Sequence, residues 1–274
     1  MRRMVLRVFV GYLMLALIPL LTAVPFGGVA WAAVVVDCNK PGHTITHALT
    51  FARGTPITIE VSGTCRENVV IATSNVTLVT TSGATIAAPD ATKGSIRVLA
   101  DGVVIDGFTV MGGASGVFAV GAQRLSVENC VIEGAAHQGV SLSQSSSATI
   151  DHSIVRANSG HGIYIVQGSG VTVTNSTISE NGARGITVFN GGHASIGISL
   201  NGQLAGNQIT NNGADGIGIG NGASADIGGN TISGNGTQAN SNFNRGGDIC
   251  RRSECYRGWG QHDLGQCRIR RYPL

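Results

Sequence analysis

The sequence predicts an all-β protein, a parallel β-helix in which three sheets wind as a solenoid of 23-residue coils behind a short N-terminal capping helix. Three observations lead there. Of 274 residues, 41 are Gly, only 6 are Pro and 12% are charged. Collagen would need a strict three-residue period with abundant Pro. With 42% hydrophobic residues the chain can bury enough apolar surface to offset the entropy of ordering, unlike a disordered chain. Scarce charge and abundant Gly disfavour helical bundles, whose outer faces are charged and whose helix interiors avoid Gly. The second observation is a period: Val117, Val140 and Ile163 follow Gly116, Gly139 and Gly162 at intervals of 23 residues. The third is that, within each unit, apolar residues alternate over three short runs, the pattern of strands with one buried face.

Taken from the N-terminus, Arg2, Arg3 and Arg7 precede an uncharged stretch from Val8 to Val36. It passes through Ala30-Trp31-Ala32, small residues at the two positions a signal peptidase reads, so residues 1–32 are expected to be a signal peptide cleaved after Ala32. The alternative is an uncleaved membrane anchor, because about twenty apolar residues can span a bilayer. Pro19, Pro25 and the Gly27-Gly28 pair interrupt the stretch and favour cleavage. Either way the body leaves the cytoplasm, to be secreted, periplasmic or at the cell surface.

Residues 33–95 read as an N-terminal cap and irregular first coils. Thr44 to Ala52 forms an amphipathic helix with Ile45, Ala48, Leu49 and Ala52 on one face. It is expected to cover the open end of the solenoid. Strands follow at Ile57 to Val61, Val69 to Ile71, Val76 to Val79 and Ala84 to Ala87. In an exported chain disulfides form, and Cys38 and Cys65 are the expected pair. Their 28-residue span would add roughly 3 kcal/mol by restricting the unfolded chain. Cys130 falls inside a repeat and reads as a buried thiol. The trio Cys250, Cys255 and Cys267 has no metal-ligand spacing, and no metal or cofactor is called for.

Residues 96–239 are the regular helix. The first strand of each coil places Val117 and Ala119, Val140 and Leu142, Ile163 and Ile165, Ile186 and Val188, and Ile217 and Ile219 inward. Val127, Ile150, Val173, Ile196 and Ile227 mark the second strand, and Ile132, Val155, Ile178, Ile209 and Ile232 the third. Such short strands can pair only with their equivalents in neighbouring coils, about 4.8 Å away. Asn158, Asn181, Asn212 and Asn235 share one repeat position and predict an amide ladder. The Gly before each first strand is read as a positive-φ bend. The coil from Ile96 to Gly116 is two residues short, and an eight-residue insertion near Ile198 to Ala205 stretches one interval to 31 residues.

Val173-Thr174-Asn175-Ser176-Thr177-Ile178, with Gly182 and Gly185-Ile186, resembles the generic coil of the right-handed parallel β-helix family, the pectin-lyase-like superfold. Cys38 to Asn68, with Ser62-Gly63-Thr64-Cys65-Arg66-Glu67-Asn68, is similar to the N-terminal caps of its exported bacterial members. The resemblance covers residues 37 to 239. It implies a fold rather than an activity, since the superfold hosts lyases, hydrolases, epimerases, adhesins and proteins of no known activity.

Two family motifs are met incompletely. Gly160-His161-Gly162 looks like the polygalacturonase histidine motif, but the Asn-Thr-Asp, Asp-Asp and Arg-Ile-Lys partners are missing from the sequence, and inverting hydrolysis needs two carboxylates around the bond. Ile150-Asp151-His152 is similar to a pectate lyase motif, but the next coil offers His161-Gly162-Ile163-Tyr164-Ile165 where calcium-binding Asp residues would stand. One local constellation remains. Gln138, His161, Arg184 and Asp215 occupy the position before the turn Gly in successive coils, with Tyr164 pointing outward beside them. A uronate lyase or epimerase needs a base, a proton donor and a cation, and His161, Tyr164 and Arg184 are the candidates for those catalytic roles. The competing reading is a solvated turn that tolerates any polar residue. Phe118, Tyr164 and Phe189 on the outer face are the candidate substrate-binding platform for a polysaccharide.

After Ala239 the period stops. Residues 240–274 hold seven Arg against three acids, and a basic tail, a separate cap or a frameshifted or truncated reading frame would each account for the shift. The formal net charge of +3 then divides: the body from Ala33 to Ala239 has eight basic and twelve acidic residues. An acidic body gives no warrant for nucleic acid and disfavours electrostatic capture of an anionic polymer. The sequence therefore reads best as an exported surface or carbohydrate-interacting protein without a recognisable active site. A polysaccharide lyase, hydrolase or epimerase is the second reading, and a structural or adhesin-like solenoid the third.

Overall fold

A computed structural model describes residues 33–52 and 56–236 and the backbone of Asp248–Cys250 and Cys255–Tyr256, all within one compact unit. The expected signal peptide and most of the tail lie outside the described residues. The described chain winds as a parallel β-helix of three sheets, here named I, II and III after the first, second and third strand of each coil. Sheet I runs from Val69–Ile71 through Val117–Val120 and Ile163–Ile165 to Ile217–Ile219. Sheet II runs from Val34–Asp37 to Ser224–Ile227, and sheet III from Thr64–Cys65 to Thr231–Ser233.

Register follows the repeat. Val117 pairs with Val140, Val140 with Ile163 and Ile163 with Ile186, so identical positions stack coil upon coil. The inward columns are excluded from solvent: Val127, Ile150, Val173 and Ile196 are each 0% exposed. The end of the solenoid core is closed by the helix Ile45–Leu49, which packs against Val34–Asp37, Ile57–Ser62 and Val69–Ile71 and buries Ile45 and Ala48. Thr44 caps it by accepting the His47 N–H, and the Glu67 carboxylate accepts the N–H groups of Ile45 and Thr46. The helix is thus shorter than Thr44 to Ala52, because Thr50 ends it. Cys38 and Cys65 are disulfide-bonded across the first coil, with Cα atoms 5.0 Å apart. Cys130 is a buried free thiol whose pKa is pushed up to about 11, chiefly by burial.

The Asn ladder forms at the turn from sheet III to sheet I. Asn158, Asn181 and Asn212 each donate Nδ2–H to the Oδ1 of the next Asn at 2.9 Å, ending on Asn235. Each also donates to a buried strand carbonyl of the preceding coil, as Asn181 does to Val155. A second ladder stands at the turn from sheet II to sheet III, where the backbone N–H of Cys130, Ser153, Ser176 and Asn207 reaches Ser153, Ser176, Asn207 and Asn230 in turn. These side chains supply the bonds that a sharp turn withholds from its own backbone.

One further expectation is corrected. The Gly before each first strand does not have a positive φ. At Gly162 a Cβ would lie 2.6 Å from the Gly185 carbonyl oxygen and 2.7 Å from the Ile178 Cγ2, so close approach between coils is what requires glycine there. Positive φ falls at the other corners, on residues such as Asn129, His152 and Asn175. From the tail, the backbone of Asp248–Cys250 pairs antiparallel with Ile217–Ile219 and Cys255–Tyr256 follows it at the edge of sheet I, so neither strand continues the parallel coils. Val34–Asp37, just after the expected cleavage point at Ala32, is the first strand of sheet II.

Candidate functional site

Each first strand begins where the chain leaves the Asn-ladder turn, and alternate residues face out of sheet I. Arg97, Phe118, Ser141, Tyr164 and Thr187 therefore follow one another in register on five adjacent strands. Phe118 and Tyr164 are two strands apart, with Ser141 between them. Phe189 stands two residues further along its coil than this row, just past the strand Ile186–Val188. All three rings are partly buried.

His161, Tyr164 and Arg184 come together at one edge of this face. The His161 and Tyr164 rings stack at 5.2 Å with an interplanar angle of 7°. Nδ1 of His161 accepts the Arg184 backbone N–H at 3.3 Å, and the Thr187 hydroxyl lies 3.1 Å from the same nitrogen. That acceptor role fixes the neutral tautomer with hydrogen on Nε2. Burial, and then the nearby Arg184 charge, hold the His161 pKa down to about 4. At neutral pH the ring is therefore uncharged, and at Nε2 it offers a proton donor rather than a base.

Arg184 is 3% exposed, and its Nε donates to Asp215 Oδ2 at 3.0 Å. Its guanidinium carbon lies 5.6 Å from the Phe189 ring centroid, a cation–π arrangement. Room for both side chains comes from the missing Cβ atoms of the following coil. A Cβ on Gly218 would meet Arg184 Cδ at 2.6 Å, and one on Gly220 would meet Phe189 Cε1 at 2.4 Å. The turn column is thus not the solvated edge of the competing reading, since Arg184 and Asp215 are packed inside it. Gln138 begins the column by accepting the Ser115 hydroxyl at 3.3 Å.

Sequence reasoning missed the other end of the face. Arg97 projects beside Phe118 and Val70 into an open cavity of about 630 Å³, which Lys93, Ser115 and Asn68 also line. Lys93 forms an exposed ion pair with Asp90 at 3.0 Å. The signal was present in the sequence: Arg97 stands one residue after Ile96, at the position of Phe118 and Tyr164 in later coils. Among the described residues, no carboxylate lies in the outward row that carries Arg97, Phe118 and Tyr164. The His/Cys/Asp/Glu cluster of Cys38, Cys65 and Glu67 is no metal site in this form, because both sulfurs are in the disulfide. No helix among the described residues is long and apolar enough to cross a membrane.

A family model described as right handed beta helix region matches residues 44–201. No curated protein matches the chain. Among solved structures, an alginate lyase from Paenibacillus sp. str. FPU-7 is similar over 75% of this chain and 78% of its own, at 18% identity and a TM-score of 0.48. Pectate lyase Pel9A is similar over 77% and 83%, at 11% identity and a TM-score of 0.47. The catalytic domain of a GH87 alpha-1,3-glucanase in complex with nigerose is similar over 74% and 54%, at 15% identity and a TM-score of 0.33.

Proposed function

Since the chain belongs to the right-handed β-helix family, a fold that carries no single chemistry, we propose that it is an exported protein that binds a polysaccharide on the outer face of sheet I. The observation that carries this reading is the row of partly exposed rings, Phe118 and Tyr164 in register with Phe189 beside them, on a face ending in the Arg97 cavity. Rings held by a rigid sheet offer flat apolar area at little entropic cost, which suits the apolar faces of sugar rings. Arg97 gives that face a local positive charge for an acidic substituent, although the body as a whole is acidic. Equilibrium binding of the mature protein to a glycan array tests it. The Tyr164→Ala, Phe189→Ala double variant is expected to lose binding, and binding equal to the parent chain would refute the platform.

Catalysis is the second reading, supported by the stacking of His161 on Tyr164 next to Arg184. A lyase must create an unsaturated product, so absorbance growth on incubation with uronate polymers would move the protein to that class. Export is supported by the Cys38–Cys65 disulfide together with the Arg-flanked apolar leader. N-terminal sequencing of the secreted protein is expected to begin at Ala33.

A further inference from the structure

A second groove, of about 790 Å³, lies on the outer face of sheet II, away from the rings of sheet I. Its floor is a row of hydroxyl side chains: Ser126, Thr149, Thr172 and Ser195 stand in register on four adjacent strands, about 4.8 Å from one to the next. The outer two are engaged, Ser126 with Glu128 at 2.6 Å and Ser195 with the Ile198 carbonyl at 2.8 Å. The central two, Thr149 and Thr172, have no hydrogen-bond partner for their hydroxyls among the described residues.

One wall is the insertion that breaks the period. It leaves the coil after Ile196, closes on itself through an antiparallel bridge between Ile198 and Leu204, and returns at Ala205. Leu200 at its tip is 85% exposed and lines the groove with Ile198. Core packing gives no reason to hold a Leu so far into solvent. The charges on the groove cancel, Arg124 at one end and Asp226 at the other. Beside the floor, Glu128 and Asp151 face outward on adjacent strands and repel a polyanion.

We propose that this groove is a second binding site, independent of sheet I, for a neutral polysaccharide lying along the solenoid axis. Its hydroxyls would pair with the free Thr149 and Thr172 groups while its apolar ring faces cover Leu200. A polyanion would meet Asp226 and the Glu128–Asp151 row with Arg124 at one end alone to offset them, which sets this site apart from the Arg97 end of sheet I.

The test is affinity electrophoresis of the mature full-length protein against neutral polymers (β-glucans, galactomannan, starch) and polyuronates. Thr172→Lys places an ammonium group on the floor, and Leu200→Asp changes only an exposed tip, so fold is retained in at least the second variant and is checked by thermal unfolding. The expected result is retardation by a neutral polymer, weakened about tenfold or more in both variants. That retardation is expected to be unchanged in Tyr164→Ala, Phe189→Ala. Retardation by no neutral polymer, or loss only in the sheet I variant, overturns the proposal. The sheet I platform fails separately, if Tyr164→Ala, Phe189→Ala weakens retardation by none of the polymers, neutral or acidic.

Discussion

Replacing Asn181 by Ala tests how the solenoid is held together. Asn181 is 1% exposed. Its Oδ1 accepts the Asn158 N–H at 3.2 Å and the Asn158 Nδ2–H at 2.9 Å. Its Nδ2 donates to the Val155 carbonyl at 3.1 Å and to Asn212 Oδ1 at 2.9 Å. Alanine strips the Asn158 amide and the Val155 carbonyl of these partners in a place water does not reach. At about 1–3 kcal/mol for each buried group left unpaired, the cost is about 2–6 kcal/mol. That is a large part of the roughly 5–15 kcal/mol that stabilises a typical domain. Asn235, the last rung, is only partly buried, and water can replace its side chain, so Asn235→Ala is expected to cost less than about 1.5 kcal/mol. Equilibrium urea unfolding of both variants gives the comparison. A loss below about 1 kcal/mol for Asn181→Ala, or equal losses at the two positions, would refute the ladder as a stabilising element.

Glycine at the coil junction is required by space, so Gly162→Ala should destabilise by about 1–3 kcal/mol or more as coils are forced apart. Gly170→Ala, whose added Cβ would find its nearest neighbour 4.0 Å away, should stay within about 0.5 kcal/mol; parallel thermal unfolding checks the pair. Burial and then Arg184 depress the His161 pKa to about 4, whereas an unfolded histidine titrates near 6.5. The unfolded state therefore binds the extra proton between those values, and the stability present above pH 6.5 falls as pH drops toward 4, by up to about 1.4 kcal/mol per pH unit. An NMR titration placing the His161 midpoint near 6.5 would contradict this, and His161→Gln should remove that part of the slope. Arg184→Met removes the ion-pair partner of Asp215, which is 1% exposed, and should cost about 3–5 kcal/mol, while adding Asp215→Asn should recover much of it in a double-mutant cycle.

The columns that made the fold legible are those whose burial leaves no choice of residue type. Val127, Ile150, Val173 and Ile196 had to be apolar in any three-sheet coil, and the Asn158, Asn181 and Asn212 amides, with a donor and an acceptor each, suit a column whose members bond to both neighbours. Gly162 was legible as a requirement but not by cause, because a sequence shows that a side chain is missing and not whether torsion or proximity excludes it. Arg184 reads as a surface turn until Gly218 and Gly220, a coil further on, are seen to leave a trough for it and for Phe189. Arg97 escaped notice because its coil is two residues short and interrupts the period that marked Phe118 and Tyr164. The insertion near Ile198 was visible as eight extra residues, but its direction, out over sheet II with Leu200 at the tip, depends on the Ile198–Leu204 bridge and has no signature in the repeat.

Hydroxyl-radical footprinting of the mature protein with and without a bound polysaccharide tests most directly whether the outer face of sheet I is the binding face. The account predicts that oxidation of Phe118, Tyr164 and Phe189 falls together on binding while Phe51, on the N-terminal cap and 60% exposed, is oxidised as before. Unchanged oxidation of all three rings in a complex shown to be saturated would contradict it.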